Sequence, residues 1–147
     1  MTSDPFDKVK NQIGYCGIWC GSCVVANGQL RELTKKQEEI IKNYDVEQWG
    51  PKDFDFKEFM SGLKSIQGMP LCPGCLKGGG RDNCEIRACA SSKNIKDCSE
   101  CGRPEECKNA ELLENMQTGA VRAGMFVKTD VLDPQELIKQ WTAELKR

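Results

Sequence analysis

Ten cysteines and no histidine in a chain of 147 residues define the chemistry open to this sequence. Thiolates hold soft metal ions, exchange with disulfides and attack electrophiles. Nucleophilic catalysis through a Ser-His or Cys-His pair is excluded by composition. A metal site must be built from thiolates, alone or with carboxylates or ligands from outside the chain. The cysteines form four groups. Cys16, Cys20 and Cys23 come first, then Cys72 and Cys75 in Cys-Pro-Gly-Cys, then Cys84 and Cys89. Cys98 and Cys101 in Cys-Ser-Glu-Cys, with Cys107 beyond, close the series.

The two C-x-x-C pairs give the strongest metal signal. A tight turn inside each pair aims both sulfurs at one point, and small turn residues let backbone amides hydrogen-bond the thiolates. Cys72, Cys75, Cys98 and Cys101 are therefore the leading ligand candidates. Thioredoxin-type redox chemistry uses the same spacing but needs a βαβ context, which the sequence does not show. On a helix, Cys16, Cys20 and Cys23 fall at about 0°, 40° and 340°, within one face. They are ligand candidates too, with burial as small apolar residues the alternative. Their C-x-x-x-C-x-x-C spacing matches that of radical S-adenosylmethionine enzymes. Ser22 stands where those enzymes carry an aromatic residue, and no alternating βα pattern supports their barrel. Cys84 and Cys89 complete the ligand candidates, but they differ by about 140° on a helix and point at different places unless the helix begins between them, so that one of them also reads as core. Cys107 falls in the first turn of a helix begun at Pro104, where the partial positive charge favours a thiolate.

These groups need elements to position them. Apolar spacing predicts helices over about 23–44, 54–67, 104–116 and 133–146. Residues 118–128 read equally as helix or short strand. Residues 1–12 read as a loosely held arm. The stretch from Leu71 to Cys107 is rich in turns and poor in large apolar residues, a situation that a structural metal remedies. Hydrophobic residues make up 39% of the chain and aromatics 7%, so the core should be modest. The expectation is a mainly α, small helical domain with a loop-rich cysteine module and little or no sheet, spanning 1–147 as one unit.

Four ordered blocks resemble a known family. They are Tyr15-Cys16-Gly17-Ile18-Trp19-Cys20-Gly21-Ser22-Cys23, Cys72-Pro73-Gly74-Cys75, Cys84-Glu85-Ile86-Arg87-Ala88-Cys89-Ala90, and Cys98-Ser99-Glu100-Cys101 with Pro104 and Cys107 beyond. The resemblance is to the domain-of-unknown-function family 3795 and covers about residues 14–113. It implies a small cysteine-rich cytoplasmic protein that binds metal, and no reaction. The family's closing segment usually reads aromatic-Pro-Cys, whereas Glu105-Glu106 separates Pro104 from Cys107 here. Residues 118–147 lie outside the resemblance and read as a helical extension.

The functional expectation is a zinc-stabilised binding or adaptor module rather than an enzyme, with a protein partner. An iron–sulfur or thiol-based redox protein is the alternative. Two four-thiolate zinc sites would take the net charge from −1 to about −5, which argues against nucleic acid. Lys35, Lys36 and Arg81 read as solvated surface. No segment is apolar enough to span a bilayer and the opening residues lack a signal-peptide core, so no membrane association and a cytoplasmic location are expected.

Overall fold

The computed structural model describes residues 4–102 and 104–145, Pro104 by its backbone alone. Residues 1–3 of the expected arm and residue 146 of the expected last helix lie outside them. Seven α-helices and no sheet occur among the described residues, so the protein is mainly α as its sequence predicts.

The segment read as a loose arm carries α1, Pro5–Val9. Asp4 caps it by accepting from the Phe6 amide at 3.0 Å, with proline in the first turn. Phe6 and Val9 are both buried. Phe6 and Val9, only three positions apart, give too short a period to be read as an element, yet they anchor the helix.

Helix α2 spans Gln29–Asn43 and starts six residues later than the apolar spacing suggested. Gly28 has φ +83°, outside the helical region, and the Asn27 side chain accepts from the Gln29 amide at 2.9 Å. The short α3 (Val46–Trp49) links α2 to α4 (Phe56–Gln67), which packs against α2. Glu38 of α2 is the polar centre of that contact. It accepts from Lys42 at 2.6 Å and from Gln67 of α4 at 2.5 Å.

Beyond the cysteine turns, α5 covers Glu85–Ser92 and α6 covers Ala110–Arg122. The expected helix over 104–116 is thus displaced. Residues Pro104–Glu106 form only a 3₁₀ turn, and Cys107 precedes α6 rather than opening it. The ambiguous stretch resolves in both senses. Helix continues to Arg122, and Val127 then makes an isolated antiparallel bridge with Ile18. Helix α7, Pro134–Glu144, is capped by Asp133, whose side chain accepts from the Gln135 amide at 3.1 Å.

The main core forms around Trp19, which is fully buried. Phe6, Phe126 and Trp141 surround its ring at centroid separations of 6.0, 6.0 and 5.7 Å, and its Nε1 donates to the Lys10 carbonyl at 2.7 Å. Ile13 and Ile138 complete the cluster. Trp19 lies between Cys16 and Cys20 in sequence, so this core fixes the first cysteine block directly.

Candidate functional site

Cys16–Cys23 is not the continuous helix that would align three sulfurs. Cys16 occupies a turn before Gly17, and only Cys20–Ser22 winds into a 3₁₀ turn. The block is pinned instead by cross-chain bonds. The Trp19 amide donates to Phe126 O at 2.9 Å, the Cys20 amide to Gln12 O at 2.8 Å, and the Lys128 amide to Gly17 O at 2.8 Å.

The Cys72-Pro73-Gly74-Cys75 turn docks on this block. Gln12 Nε2 donates to Pro73 O at 2.9 Å. Cys20 packs with Val9 and Ala26 in a second buried cluster, and Cys23, Cys72 and Cys75 pack against it. Cys20 and Cys75 share a thiol hydrogen bond. That bond and burial push the Cys20 thiol up, while the same bond, helped by the Arg87 guanidinium, holds Cys75 below the ordinary thiol range. The Gly80 amide donates to Cys72 Sγ at 3.3 Å, the type of bond that supports a thiolate. A Cβ on Gly79 would come within 2.7 Å of Cys72 Sγ, and one on Gly80 within 2.8 Å of Cys75 Sγ. The glycine run therefore makes a close cradle for two sulfurs.

Arg87 received no role from sequence reasoning. Its guanidinium donates to the carbonyls of Cys75 (3.3 Å), Gly79 (3.1 Å) and Arg81, which folds the glycine loop back over the knuckle. An arginine inside the Cys84–Cys89 block was the available signal. Lys35, Lys36 and Arg81 are exposed, as expected of solvated surface.

Helix α5 begins between Cys84 and Cys89, with Cys84 at its N-cap. The two cysteines serve different neighbourhoods. Cys84 lies close enough to Cys16 to raise its thiol pKa, after burial and alongside Cys75. Cys89 joins Cys98, Cys101 and Cys107 around a cavity of about 210 Å³. Asp97 shapes the Cys98 turn by accepting from the Ser99 amide at 2.9 Å, and the Cys98 amide donates to Tyr15 O at 2.8 Å. Burial, then the nearby Cys107, Cys16 and Cys101 thiols, push Cys98 up to about 11. Lys93 Nζ lies 3.5 Å from Cys101 Sγ.

The ten candidates thus sort into Cys20, Cys23, Cys72 and Cys75 on one side and Cys89, Cys98, Cys101 and Cys107 on the other. Cys84 stands beside the first set, and Cys16 within electrostatic reach of both. The two C-x-x-C turns do not face one another but seed separate groups. The donor chemistry, the amide bond to Cys72 and the glycine cradle fit a thiophilic ion. Among the described residues, however, no three cysteine, aspartate or glutamate side chains converge as a metal-holding group. No helix in the described residues is long and apolar enough to cross a membrane.

Neither a curated protein nor a solved structure matches the chain. A family model described as "Protein of unknown function (DUF3795)" matches residues 12–112, which takes in all ten cysteines and stops within α6. The chain belongs to this cysteine-rich family.

Proposed function

We propose that this protein binds two zinc ions, one through Cys20, Cys23, Cys72 and Cys75 and one through Cys89, Cys98, Cys101 and Cys107. The observation that carries this reading is the sorting of sequence-distant cysteines into two sets of four, each built on one C-x-x-C turn. Four thiolates without a water position make a structural rather than a hydrolytic zinc site. Among its described residues, the segment from Leu71 to Asn109 has short turns and the single helix α5 of its own, so the ions would supply cohesion. The protein then acts as a metal-stapled module that presents its helices to a protein partner in the cytoplasm.

Elemental analysis with a visible spectrum on anaerobically purified protein tests this. Two equivalents of zinc in a colourless protein are expected. A brown protein with broad visible absorbance would replace zinc by an iron–sulfur cluster. Metal-free protein whose thiol titre changes with oxidant would replace both by thiol redox chemistry.

A further inference from the structure

Helices α2 and α4 form a hairpin whose two sides differ. Across their contact, the Thr34 carbonyl and the Glu38 carboxylate of α2 accept from Gln67 of α4. Lys42 of α2 and Lys57 and Met60 of α4 line a recess on one side of that contact. At 100° per residue, Ile40 lies about 200° from Lys42, and Phe59 and Ile66 lie about 200° and 180° from Lys57. The opposite side of the hairpin therefore carries two stripes. Leu33, Ile40 and Tyr44 run along α2 within about 40° of one another, and Phe59, Gly62 and Ile66 run along α4 within about 60°. The five large residues are 37% to 69% exposed. No charged residue falls between the stripes on either helix, and Gln37 is the polar residue nearest their centre.

We infer that this side is the interface of a homodimer, in which two copies pair their α2–α4 hairpins into a four-helix bundle about a two-fold axis. It names the partner to which the module presents its helices, and it rests on that part of the reading above rather than on the zinc. Three observations point to a second copy. The first is area. The exposed parts of the five side chains amount to about 500 Å², at roughly 200 Å² for a large side chain. That is a contiguous apolar patch of the size that marks an interaction site. With Gln37 and the backbone at Gly62 it approaches the roughly 800 Å² that a standard interface takes from each partner. The second is charge. A two-fold contact sets a surface against its own copy, so a charged face would repel itself, and this face carries no charge between its stripes. The third is Gly62. Glycine inside a helix is unfavourable, and a Cβ there would meet nothing within 4 Å, so packing within the chain does not call for it. An opposing helix that approaches closely does.

Multi-angle light scattering on the full, zinc-loaded chain tests this. A species of twice 16.4 kDa is expected, in concentration-dependent equilibrium with the single chain. Ile40→Glu and Ile66→Glu each place a carboxylate on the face at an exposed position. Each should weaken the dimer at least about a hundredfold, because the contact would bury an unpaired charge from both copies. Zinc content and far-ultraviolet circular dichroism should stay unchanged. Lys57→Glu, on the opposite side, should leave the dimer intact. A chain that stays monomeric, or a dimer that survives both Ile40→Glu and Ile66→Glu, overturns the second copy as occupant. The zinc module then stands, with this face left to a helix of another protein. A dimer that Lys57→Glu weakens as much as the other two variants also overturns it. A dimer formed by a chain that takes up no zinc sustains the interface and overturns the metal reading alone.

Discussion

Lys128 Nζ stands 2.6 Å from Asp97 Oδ2, and both side chains are almost wholly buried, at 1% and 3% exposure. The pair joins the C-terminal extension to the turn that carries Cys98. Asp97 caps that turn through Ser99, and the Lys128 backbone bonds Gly17 of the first cysteine block. Removing one partner strands the other charge out of water. Lys128→Met should therefore destabilise the protein by about 3–5 kcal/mol, measured by denaturant unfolding. Pairing it with Asp97→Asn should recover part of the loss. A loss for the single variant within the range of an exposed pair, under about 1 kcal/mol, would refute the buried geometry.

Trp19 belongs to the family-matched region, but all three rings around it, Phe6, Phe126 and Trp141, come from outside it. Trp141 is 8% exposed, so its truncation opens space that the neighbouring rings fill poorly. Trp141→Ala should cost about 3–5 kcal/mol. Tryptophan fluorescence should shift to the red as Trp19 gains water. An unshifted spectrum with unchanged stability would mean that the extension does not cover this core.

The helical class and the separate cysteine groups were legible because both leave periodic or spaced marks in sequence. Helices α4 and α7 lie close to where apolar spacing places them. Helix α2 starts late because a left-handed Gly28 outweighs a continuous apolar stripe. Cys84 and Cys89 serve different neighbourhoods although the helix begins between them, the one condition under which their spacing would have let them converge. The pairing of Cys72–Cys75 with Cys20–Cys23 was not legible. It depends on contacts such as Gln12 to Pro73, across 61 positions, which no local pattern encodes. Lys128 reads as an ordinary surface lysine until the fold buries it.

Glu38 ties α2 to α4 through Lys42 and Gln67, with Lys64 at 3.7 Å. The Lys42 hydrogen bond, then that of Gln67, hold its carboxyl down to about 2 from an ordinary 4.5. The folded state thus favours the ionised form. The resulting stability is fully present above pH 4.5 and is lost as pH falls towards 2. Glu38→Gln should be less stable than wild type at neutral pH, with the gap closing across that acidic window. Thiolate protonation acts on both proteins equally, so the difference between their pH–stability curves isolates Glu38. A gap independent of pH would show that its charge is not engaged.

Cys16 and Cys84 are the two thiols left over when the ten divide into sets of four. Cys16 is buried beside Cys75 and Cys84 and falls in neither set of four, which suits a packing residue rather than a ligand. Cys16→Ser and Cys84→Ser should each retain two equivalents of zinc by elemental analysis. Cys72→Ser should lose one equivalent and loosen the fold, because the Gly80 amide and the glycine cradle are shaped around that sulfur. Serine at position 16 exchanges a weakly polar thiol for a hydroxyl in a buried site, so a loss of about 1–3 kcal/mol with full metal content is expected. Loss of one zinc from Cys16→Ser or Cys84→Ser, with Cys23→Ser or Cys72→Ser keeping both, would move the first ion onto the Cys16–Cys75–Cys84 side of the cluster.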